Sequence, residues 1–431
     1  MIFANGKFYD YNDQKQVLDS LEEEINDTRA HLSLTPDIVI GALCRLAQKA
    51  RDGAYREMIA SLGLSGMEKQ VDLALGLLSR ENLEFRLKNE LGDRLPMTKQ
   101  TMPAFDKRRI TQKIYPLGTL FHIAAGNADG LPAYSLAEGL LCGNVNLLKL
   151  PMADNSVSIR ILADLVKEEP RLAPFIYVFD TPSEDIATLK TLAKMSDGIV
   201  LWGGEAAEMA VRKMAPVGTK LIVWGHKLSF AYISDFRNCT ADFPALAEHI
   251  VFTKQLLCSS CQNILVDTDS EEELEAFCRL FFPHLKKAAE AQIMSARTIG
   301  ERAEKTLLQY TKTLEEMMGA VPEYGRFEDE NCGLTISSGK NLELSPMFGH
   351  VLVKGVPRDG LFRVLRESKG VLQTAGLLCP EEMRPELAGR LFRGGVTKVT
   401  RAGTMSSFFF GESHDGEFPL QRYVRIVCEE T

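Results

Sequence analysis

The chain has 431 residues, of which 45% are hydrophobic and 25% charged, so it is long enough for two or three globular domains. Its 58 acidic and 50 basic residues give a net charge of -8, which argues against a nucleic-acid binder, and no apolar run approaches the ~20 residues of a membrane span. The nine cysteines are an odd number scattered along the chain, and the N-terminal residues lack a signal-peptide pattern. We therefore expect reduced thiols and a cytoplasmic location.

The N-terminal part of the chain is predicted to be helical. Between residues 14 and 90, apolar residues recur at intervals of three and four with charges between them, as at Val17 and Leu21. The pattern becomes irregular over 96–105. From residue 109 onward, short apolar runs begin to alternate with helical patterns.

The alternation of strands and helices that follows predicts a mostly parallel sheet covered by helices. An open α/β sheet binds its ligands at the carboxyl ends of its strands, so residues that follow these strands are the first candidates for a site. The predicted strands are 110–115, 118–125, 145–150, 175–179, 198–202 and 220–224, and the predicted helices are 131–141, 156–168, 183–195 and 205–214.

A second α/β region is predicted from 229 to 399. It includes a buried strand at 264–266 and a charged helix at 271–287, whose acidic first turn suits the helix dipole. The last segment, 423–428, is predicted to be a short terminal strand. We find neither an internal repeat nor a low-complexity segment, so both regions are expected to fold as α/β domains.

Polar residues or glycines follow three of the strands in the first region. Asn127 lies in a glycine-flanked turn, where its amide could donate to an oxyanion, although asparagine is also a common turn residue. Lys149 ends the next strand and could meet a ribose hydroxyl or a phosphate, but surface lysines are abundant. Gly203 and Gly204 open a helix and let backbone N–H groups approach a pyrophosphate, although they do not form the G-x-G-x-x-G fingerprint.

Cys258 lies among small polar residues just before an apolar run. A cysteine in such a loop is placed to act as an accessible thiolate, which is the best nucleophile a protein has near neutral pH. The alternative is a small buried hydrophobic residue, the commonest role of cysteine in a chain of this size. Cys261 completes a C-x-x-C pair, but a zinc site needs two further ligands and dithiol redox chemistry belongs to small folds, so both uses are disfavoured.

In this order, the motifs resemble those of the aldehyde dehydrogenase superfamily, and more narrowly of its LuxC-like acyl-CoA reductase branch, from about residue 114 to the C-terminus. Cys258-Ser-Ser-x-Gln262 is similar to the C-S-S-P-Q segment of that branch. The other similar segments are Pro116-Leu-Gly118, Ala125-Gly-Asn127, Gly143-Asn144-Val145 with Lys149, Trp202-Gly203-Gly204, Trp224-Gly225-His226-Lys227, Pro346-Met347-Phe348-Gly349, Gly403-Thr404-Met405 and His414-Asp415-Gly416.

The resemblance implies an aldehyde dehydrogenase-like α/β fold with a Rossmann-type cofactor domain, an α/β catalytic domain and a small oligomerisation strand region. The implied divisions are an N-terminal helical region and cofactor domain at 1–225, a catalytic domain at 226–410 and a C-terminal oligomerisation segment at 411–431. A strand at about 108–116 and the terminal strand 423–428 are expected to pair between the subunits of a homo-oligomer.

The resemblance also implies roles for individual residues. Cys258 is the nucleophile, and the Asn127 amide holds the oxyanion together with the backbone N–H of Cys258. The cofactor contacts are Lys149, Gly203, Gly204 and Phe348. Because no histidine base is obvious beside Cys258, its thiolate is expected to be favoured by a helix N-terminus or by Lys254.

Three positions depart from the superfamily pattern. Val223 replaces the glutamate that activates water in hydrolytic members, so we expect exchange with an external thiol rather than hydrolysis. Pro346 replaces the glutamate that holds the nicotinamide ribose. Met152 stands where NAD-selective members often carry a glutamate that repels a 2′-phosphate. Its loss favours NADPH, with NADH still possible.

The implied activity is NADPH-dependent reduction of a fatty acyl thioester, either acyl-CoA or acyl-protein, to the aldehyde through a covalent acyl-cysteine. A medium- or long-chain acyl group and an acyl-protein synthetase partner are also implied. The three phenylalanines at 408–410 either line an acyl tunnel or form a buried core strand. The alternatives are a short-chain CoA-acylating aldehyde dehydrogenase using NAD, a redox-silent cysteine acyltransferase and a non-catalytic scaffold subunit.

Overall fold

The computed structural model describes residues 1–61, 75–92, 98–101, 108–124, 130–154, 156–292 and 323–430, together with 303, 306–307, 310–311, 313–315 and 317–319. The chain divides into two compact units, of which the first comprises residues 1–225 and 409–431 and the second residues 226–408. Each unit is built around a seven-stranded sheet, and the first unit also holds a three-stranded sheet.

The strands of the described residues are short. They are β1 (Ile2–Ala4), β2 (Lys7–Tyr9), β3 (Thr98–Thr101), β4 (Ile110–Pro116), β5 (Thr119–Ile123), β6 (Val145–Lys149), β7 (Ile176–Phe179), β8 (Gly198–Trp202), β9 (Lys220–Trp224), β10 (Leu228–Ile233), β11 (Cys261–Val266), β12 (Glu323–Asp329), β13 (Cys332–Ser337), β14 (His350–Gly355), β15 (Leu372–Leu378), β16 (Lys398–Thr400) and β17 (Val424–Glu430).

The described α-helices separate these strands. They are α1 (Gln14–His31), α2 (Pro36–Arg51), α3 (Arg56–Ser61), α4 (Arg80–Leu91), α5 (Leu131–Leu141), α6 (Val157–Glu168), α7 (Ile186–Lys194), α8 (Glu205–Met214), α9 (Phe243–Thr253), α10 (Glu271–Gln292), α11 (Arg358–Glu367), α12 (Arg384–Gly394) and α13 (Pro419–Arg422). Short 3-10 helices lie at Tyr11–Asp13, Met152–Asp154, Pro170–Phe175, Phe236–Asn238, Thr240–Asp242, Glu381–Met383 and Ala402–Thr404.

The large sheet of the first unit has the strand order β2-β1-β7-β6-β5-β8-β9. Strands β5 to β9 are parallel, whereas β1 pairs antiparallel with both β7 and β2. The chain runs outward from β5 through β6 to β7 and then returns to the other side of β5 as β8. The order therefore reverses between β5 and β8, and doubly wound sheets bind ligands at such a reversal, beyond the carboxyl ends of the strands.

The large sheet of the second unit has the order β12-β13-β14-β11-β10-β15-β16, in which only β12 is antiparallel to its neighbour. Alternate residues of a strand face opposite sides of a sheet, and here both sides are covered. Ala231 and Ile233 join an apolar cluster that includes buried residues of α9 and α10. Phe230 and Tyr232 join a second cluster with α11 and α12.

The predicted fold class, with mostly parallel sheets covered by helices, is confirmed. Helices α1 to α4 confirm the helical prediction for the described part of 14–90. The irregular segment predicted at 96–105 is wrong at β3, which pairs antiparallel with β4. Because β3 reads Thr-Lys-Gln-Thr, it carries no apolar residue from which a strand could be recognised.

The terminal strand predicted at 423–428 is present as β17. It pairs with β4 of the same chain, from Val424 opposite Pro116 to Glu430 opposite Ile110, and β3 pairs with the other edge of β4. The expected pairing between subunits stays a prediction. The N-terminal hairpin of β1 and β2 was not predicted, because its three-residue strands are too short to show a period.

Within the described residues, no single helix combines the length and apolarity needed to cross a membrane. The segments Tyr11–His31 and Pro36–Arg51 pass that test only as a pair, and they are bent by 115° relative to each other. The helix α2 of this pair is amphipathic, with residues such as Val39 and Leu43 buried in the first unit.

Candidate active site

Cys258 lies in the loop between α9 and β11, at the amino edge of the second sheet, and it is exposed. Cys261 is the first residue of β11 and is fully buried. Burial raises the pKa of the Cys261 thiol to about 12, so this thiol stays protonated near neutral pH. Within the C-x-x-C pair, therefore, only Cys258 is accessible to a substrate. The other exposed cysteine, Cys428, lies on β17 of the first unit.

Hydrogen bonds hold the loop around Cys258 in place. The Ser229 hydroxyl at the start of β10 donates to the Cys258 carbonyl at 2.7 Å and accepts from the Thr374 N–H at 3.0 Å. The Leu257 N–H donates to Ser260 Oγ at 3.0 Å, and the Ser260 N–H donates back to the Leu257 carbonyl at 2.9 Å. The loop backbone is thus fixed before any substrate binds, as nucleophilic catalysis favours.

A buried amide network lies beneath this loop. The Gln255 side-chain NH2 donates to the Cys261 carbonyl at 3.1 Å and to Ser345 Oγ at 2.7 Å, and its Oε1 accepts from the Gly349 N–H at 3.0 Å. The Gln262 NH2 donates to the Gln255 carbonyl at 2.6 Å, and its Oε1 accepts from the Ser345 hydroxyl at 2.7 Å. The network joins the loop at 254–260, which we call the Cys258 loop, to the 346–349 turn.

The loop and the turn both contain backbone in the left-handed region. Lys254 and Gln255 have φ of 49° and 62°, and Met347 and Phe348 have φ of 61° and 50°. Such conformations cost non-glycine residues of order 1 kcal/mol each, so the surrounding contacts must hold them. The Phe348 N–H donates directly to the Lys254 carbonyl at 3.1 Å. Phe348, a predicted cofactor contact, has its side chain buried.

No helix begins at the Cys258 loop: helix α9 ends at Thr253, upstream of the loop, and the element that follows the loop is strand β11. Activation of the thiolate by the N-terminus of a helix from elsewhere in the fold, or by Lys254, stays a prediction.

His249 is a residue that the sequence analysis missed. It lies on α9 and is buried, and burial lowers its pKa to about 4, although a hydrogen bond with the backbone of Ser259 opposes the shift. The ring is therefore neutral near pH 7, and its Nε2 has no hydrogen-bond partner among the described residues. A helix predicted to end at Thr253 would have placed His249 one turn before the Cys258 loop.

The carboxyl edge of the first sheet carries the predicted cofactor contacts. Lys149 ends β6 with its side chain almost buried, and its ammonium donates to Ser183 Oγ at 2.9 Å. Burial lowers the Lys149 pKa, against the opposing effect of Glu184 and Asp180. Among the described residues, the Lys149 ammonium has one hydrogen-bond acceptor, the neutral Ser183 hydroxyl. It can therefore donate further hydrogen bonds to a ribose hydroxyl or a phosphate.

Gly203 and Gly204 follow β8 and open α8, as the sequence predicted. The Gly203 N–H donates to the Trp224 carbonyl at 3.2 Å, while Gly204 is the exposed N-cap residue. A Cβ built on Gly204 would meet no atom of the described residues within 4 Å, so no described side chain crowds this position at the start of the helix. This arrangement fits an anionic group at the helix N-terminus.

Other predicted positions are less informative. Asn127 lies outside the described residues. Met152 is 85% exposed beyond the end of β6, and Val223 is partly buried in β9. The buried strand considered for 408–410 is wrong, since Phe408 and Phe409 are 61% and 55% exposed and the segment is irregular.

Comparison with known proteins places these features in context. A family model described as "Acyl-CoA reductase (LuxC)" matches residues 38–426. A long-chain acyl-protein thioester reductase of Photorhabdus laumondii is 26% identical over 426 residues, which cover 96% of this chain and 85% of the relative. Long-chain acyl-protein thioester reductase 2 of Photobacterium leiognathi is 24% identical over 422 residues, covering 95% and 85%.

Solved structures confirm the aldehyde dehydrogenase-like fold. A betaine aldehyde dehydrogenase of Staphylococcus aureus aligns with a TM-score of 0.72 and 13% identity, covering 97% of this chain and 88% of that one. A putative methylmalonate-semialdehyde dehydrogenase of Sinorhizobium meliloti, solved with NAD, aligns with a TM-score of 0.69 and 13% identity, covering 100% and 97%. At this level of identity the likeness concerns the fold alone.

Proposed function

The chain belongs to the acyl-CoA reductase (LuxC) family, and from this premise we propose that it reduces a fatty acyl thioester to the aldehyde, with Cys258 as the covalent nucleophile. The observation that carries the proposal is the contrast within one motif. Cys258 is exposed on a hydrogen-bonded loop, whereas Cys261 is buried with a pKa raised to about 12. Curated relatives named as long-chain acyl-protein thioester reductases support the substrate class.

In the first step, the Cys258 thiolate attacks the carbonyl carbon of the acyl thioester, and a new carbon–sulfur bond forms. The backbone N–H of Cys258 and the Asn127 amide hold the oxyanion, at about 3 kcal/mol for each donor. When the carbonyl re-forms, the bond to the carrier sulfur breaks, and the departing thiolate takes up a proton. The acyl group then remains on Cys258.

The reduction ends with release of the aldehyde and return of the Cys258 thiolate. A bound nicotinamide cofactor supplies the hydride. Lys149 would bind the adenosine ribose, and the turn of Gly203 and Gly204, with the exposed backbone of Gly204 at the start of α8, would bind the pyrophosphate. Val223 offers no carboxylate to activate water, so the acyl-cysteine is protected from hydrolysis while the reduction occurs.

We further propose NADPH as the preferred cofactor, because the exposed Met152 offers no negative charge to a 2′-phosphate. The carrier is CoA or an acyl-protein, and an acyl-protein synthetase is the implied source of the latter. A homo-oligomer and a cytoplasmic location complete the proposal.

The proposal is tested by NADPH oxidation with acyl-CoAs of increasing chain length. Wild type is expected to oxidise NADPH only when acyl-CoA is present and to form aldehyde in equal amount. Cys258→Ser should lose at least about a thousandfold in rate, as expected when the nucleophile is removed. Cys428→Ser removes the other exposed thiol and should retain the wild-type rate within about twofold.

Other outcomes would assign a different function. If acetyl-CoA with NADH is reduced faster than long-chain substrates with NADPH, the protein is a short-chain acylating aldehyde dehydrogenase. If Cys258 becomes acylated but no nicotinamide cofactor is bound or oxidised, the protein is a cysteine acyltransferase. Full activity of Cys258→Ser would exclude the covalent route.

A further inference from the structure

Three aromatic rings meet at the carboxyl edge of the first sheet. Trp202 ends β8, Trp224 ends β9, and His414 comes from the C-terminal segment of the same unit. The two indole rings have their centroids 5.6 Å apart, and the imidazole centroid lies 5.6 Å from Trp202 and 5.1 Å from Trp224. We call this group of Trp202, Trp224 and His414 the aromatic cluster.

A buried hydrogen-bonded chain fixes the orientation of Trp202. Its indole N–H donates to Ser135 Oγ at 2.9 Å, and Ser135 Oγ is 2.8 Å from His122 Nδ1. The other ring nitrogen of His122 is 3.1 Å from Asn146 Oδ1. Burial lowers the His122 pKa to about 4, so the neutral tautomer with its proton on Nε2 satisfies every one of these contacts. Trp202 is therefore a fixed surface rather than a mobile side chain.

The C-terminal segment holds His414 over the tryptophans. The backbone of His414 exchanges two hydrogen bonds with Glu417, at 2.8 and 2.9 Å. The Glu417 carboxylate pairs with Arg422 at 2.8 Å, and the Arg422 guanidinium lies 5.5 Å from the centre of the Trp224 ring. Arg422 and the His414–Glu417 hydrogen bonds thus fix the position of His414 beside Trp224.

The accessible part of the cluster faces the place where a ligand is expected. Trp224 is buried, whereas Trp202 is partly exposed and the His414 side chain is 34% exposed. Trp202 ends the strand that borders the reversal of strand order between β5 and β8. The residues that follow it directly are Gly203 and Gly204, and a Cβ on Gly204 would meet no atom of the described residues within 4 Å.

The sheet order indicates which half of a dinucleotide would lie against the aromatic cluster. Lys149, the adenosine-ribose contact in the proposed function, ends β6, and β5 separates β6 from β8. Two strand spacings amount to about 10 Å, so the adenosine end and the aromatic cluster lie on opposite sides of the pyrophosphate position. The half of the cofactor that reaches β8 and β9 is the nicotinamide half.

We propose that Trp202 and His414 form a stacking surface for the nicotinamide ring, which they position for hydride transfer. This inference rests on the proposed function, since it needs a nicotinamide cofactor. Planar rings gain up to about tenfold in affinity from such contacts, beyond the burial of area.

Direct binding tests this proposal without relying on turnover. The chain contains two tryptophans, both in the aromatic cluster, so tryptophan emission reports on this site alone. Titration of the full-length wild type with NADPH should quench that emission and transfer energy to the dihydronicotinamide. Calorimetry on the same samples gives the Kd for NADPH and for 2′,5′-ADP, which carries only the adenosine half.

His414→Ala keeps both tryptophans and removes one ring. It should bind NADPH about tenfold more weakly and 2′,5′-ADP within about twofold of wild type. His414→Phe, which restores a ring, should regain most of the NADPH affinity. His414→Leu supplies the non-aromatic comparison if the alanine variant fails to fold. His31→Ala, at an exposed position of α1, should change neither Kd.

The outcomes separate this inference from the function on which it rests. If wild type binds no nicotinamide cofactor, the proposed reductase fails, and this inference fails with it. If wild type binds NADPH and His414→Ala binds it equally well, the stacking surface is refuted while the reductase stands. Equal weakening of NADPH and 2′,5′-ADP would also refute it, because the effect would not be confined to the nicotinamide half.

Discussion

At the scale of single residues, Gly139 is among the most constrained positions of the first unit. It lies on α5 where the helix crosses β6, and a Cβ built there would overlap Asn146 Oδ1 and approach His122 Nε2 to 3.2 Å. Asn146 Oδ1 is the acceptor for His122, whose other nitrogen contacts the hydroxyl that orients Trp202. The missing side chain of Gly139 thus allows the hydrogen-bonded chain beneath the aromatic cluster.

Gly139→Ala is expected to lower the free energy of unfolding by about 1–3 kcal/mol, the usual cost of overpacking a core, and to weaken NADPH binding. Gly41→Ala, in helix α2 of the same unit, is the matched control. Its added Cβ would meet only the end of the flexible Arg45 side chain, so it should be neutral or slightly stabilising. Urea denaturation measures both. Equal stabilities for the two variants would contradict the packing described.

The same scale shows what sequence can and cannot decide. The resemblance of the Cys258-Ser-Ser-x-Gln262 motif indicated Cys258 rather than Cys261 as the nucleophile. The local sequence alone left a buried, unreactive cysteine as the commoner alternative. Burial separates the two, and burial follows from where β11 begins, at Cys261. His249 was missed for the same reason: its proximity to the loop depends on helix α9, which the sequence analysis did not delimit.

At the scale of elements, the Cys258 loop and the 346–349 turn share one hydrogen-bonded network. Ser345 stands at its centre, where its hydroxyl accepts from Gln255, donates to Gln262 and accepts from the Met347 N–H at 3.1 Å. Residues with left-handed backbone lie on both sides, so the bonds hold conformations that the chain would otherwise leave.

Ser345→Ala should lower the free energy of unfolding by about 1–3 kcal/mol, because buried donors and an acceptor lose their partner. It should also slow acylation of Cys258 at saturating acyl-CoA, since the loop backbone would be less fixed. Ser61→Ala is the control, because among the described residues that exposed hydroxyl bonds only to the Met58 carbonyl of its own helix. Rapid-quench acylation and urea denaturation give the two readouts. Unchanged acylation in a destabilised variant would show the network to be structural only.

A second element-scale contact anchors the C-terminal segment to the first unit. Arg86 on α4 is buried and pairs with Glu90 at 2.6 Å and with Glu138 on α5. Glu90 accepts from the Leu420 N–H at 2.7 Å, and Glu138 accepts from the Tyr423 hydroxyl at 3.1 Å. The segment that carries His414 is therefore held through two carboxylates that share one arginine.

Arg86→Met should cost about 3–5 kcal/mol of unfolding free energy near pH 7, because it leaves two buried carboxylates without their cation. Arg80→Met is the comparison, since Arg80 pairs with Glu84 at 2.9 Å on the exposed face of the same helix. That change should cost less than about 1 kcal/mol. Chemical denaturation distinguishes them. A similar loss of unfolding free energy in both variants would mean that the buried ion pairs stabilise the protein no more than the exposed pair does.

At the scale of the whole molecule, strand–helix alternation predicted two α/β regions correctly, because buried parallel strands are marked by continuous apolar runs such as that of β7. The strands at one edge of each sheet in the first unit were predicted poorly. The strands β1, β2 and β3 are short or polar, and their pairing is decided by distant partners rather than by local pattern. The strand ends predicted where the proposed cofactor contacts Lys149, Gly203 and Gly204 lie, whereas the aromatic cluster depended on the C-terminal segment returning to β8 and β9.

Each unit contains a histidine whose burial lowers its pKa to about 4: His122 in the first unit and His249 in the second. An unfolded chain gains these protons below about pH 6.5, but the folded units do not until about pH 4. Stability is therefore complete above pH 6.5 and is lost as the pH falls towards 4. When the pH is lowered from 7 to 5, each histidine should reduce the free energy of unfolding of its unit by about 2 kcal/mol.

Urea denaturation at both pH values, on wild type and on His122→Gln and His249→Gln, measures this dependence. Each variant should show a smaller loss between pH 7 and pH 5 than wild type, and the double variant the smallest. A pH dependence identical in all four proteins would mean that neither imidazole is kept neutral by the fold.

The covalent role of Cys258 is tested most directly by mass spectrometry of the protein with a long-chain acyl-CoA and no nicotinamide cofactor. We predict the addition of one acyl group, as a thioester, on the peptide that contains Cys258. Subsequent addition of NADPH should remove that group and release an equal amount of aldehyde. Acylation at Cys428 instead, or loss of the group as the free acid, would contradict the account.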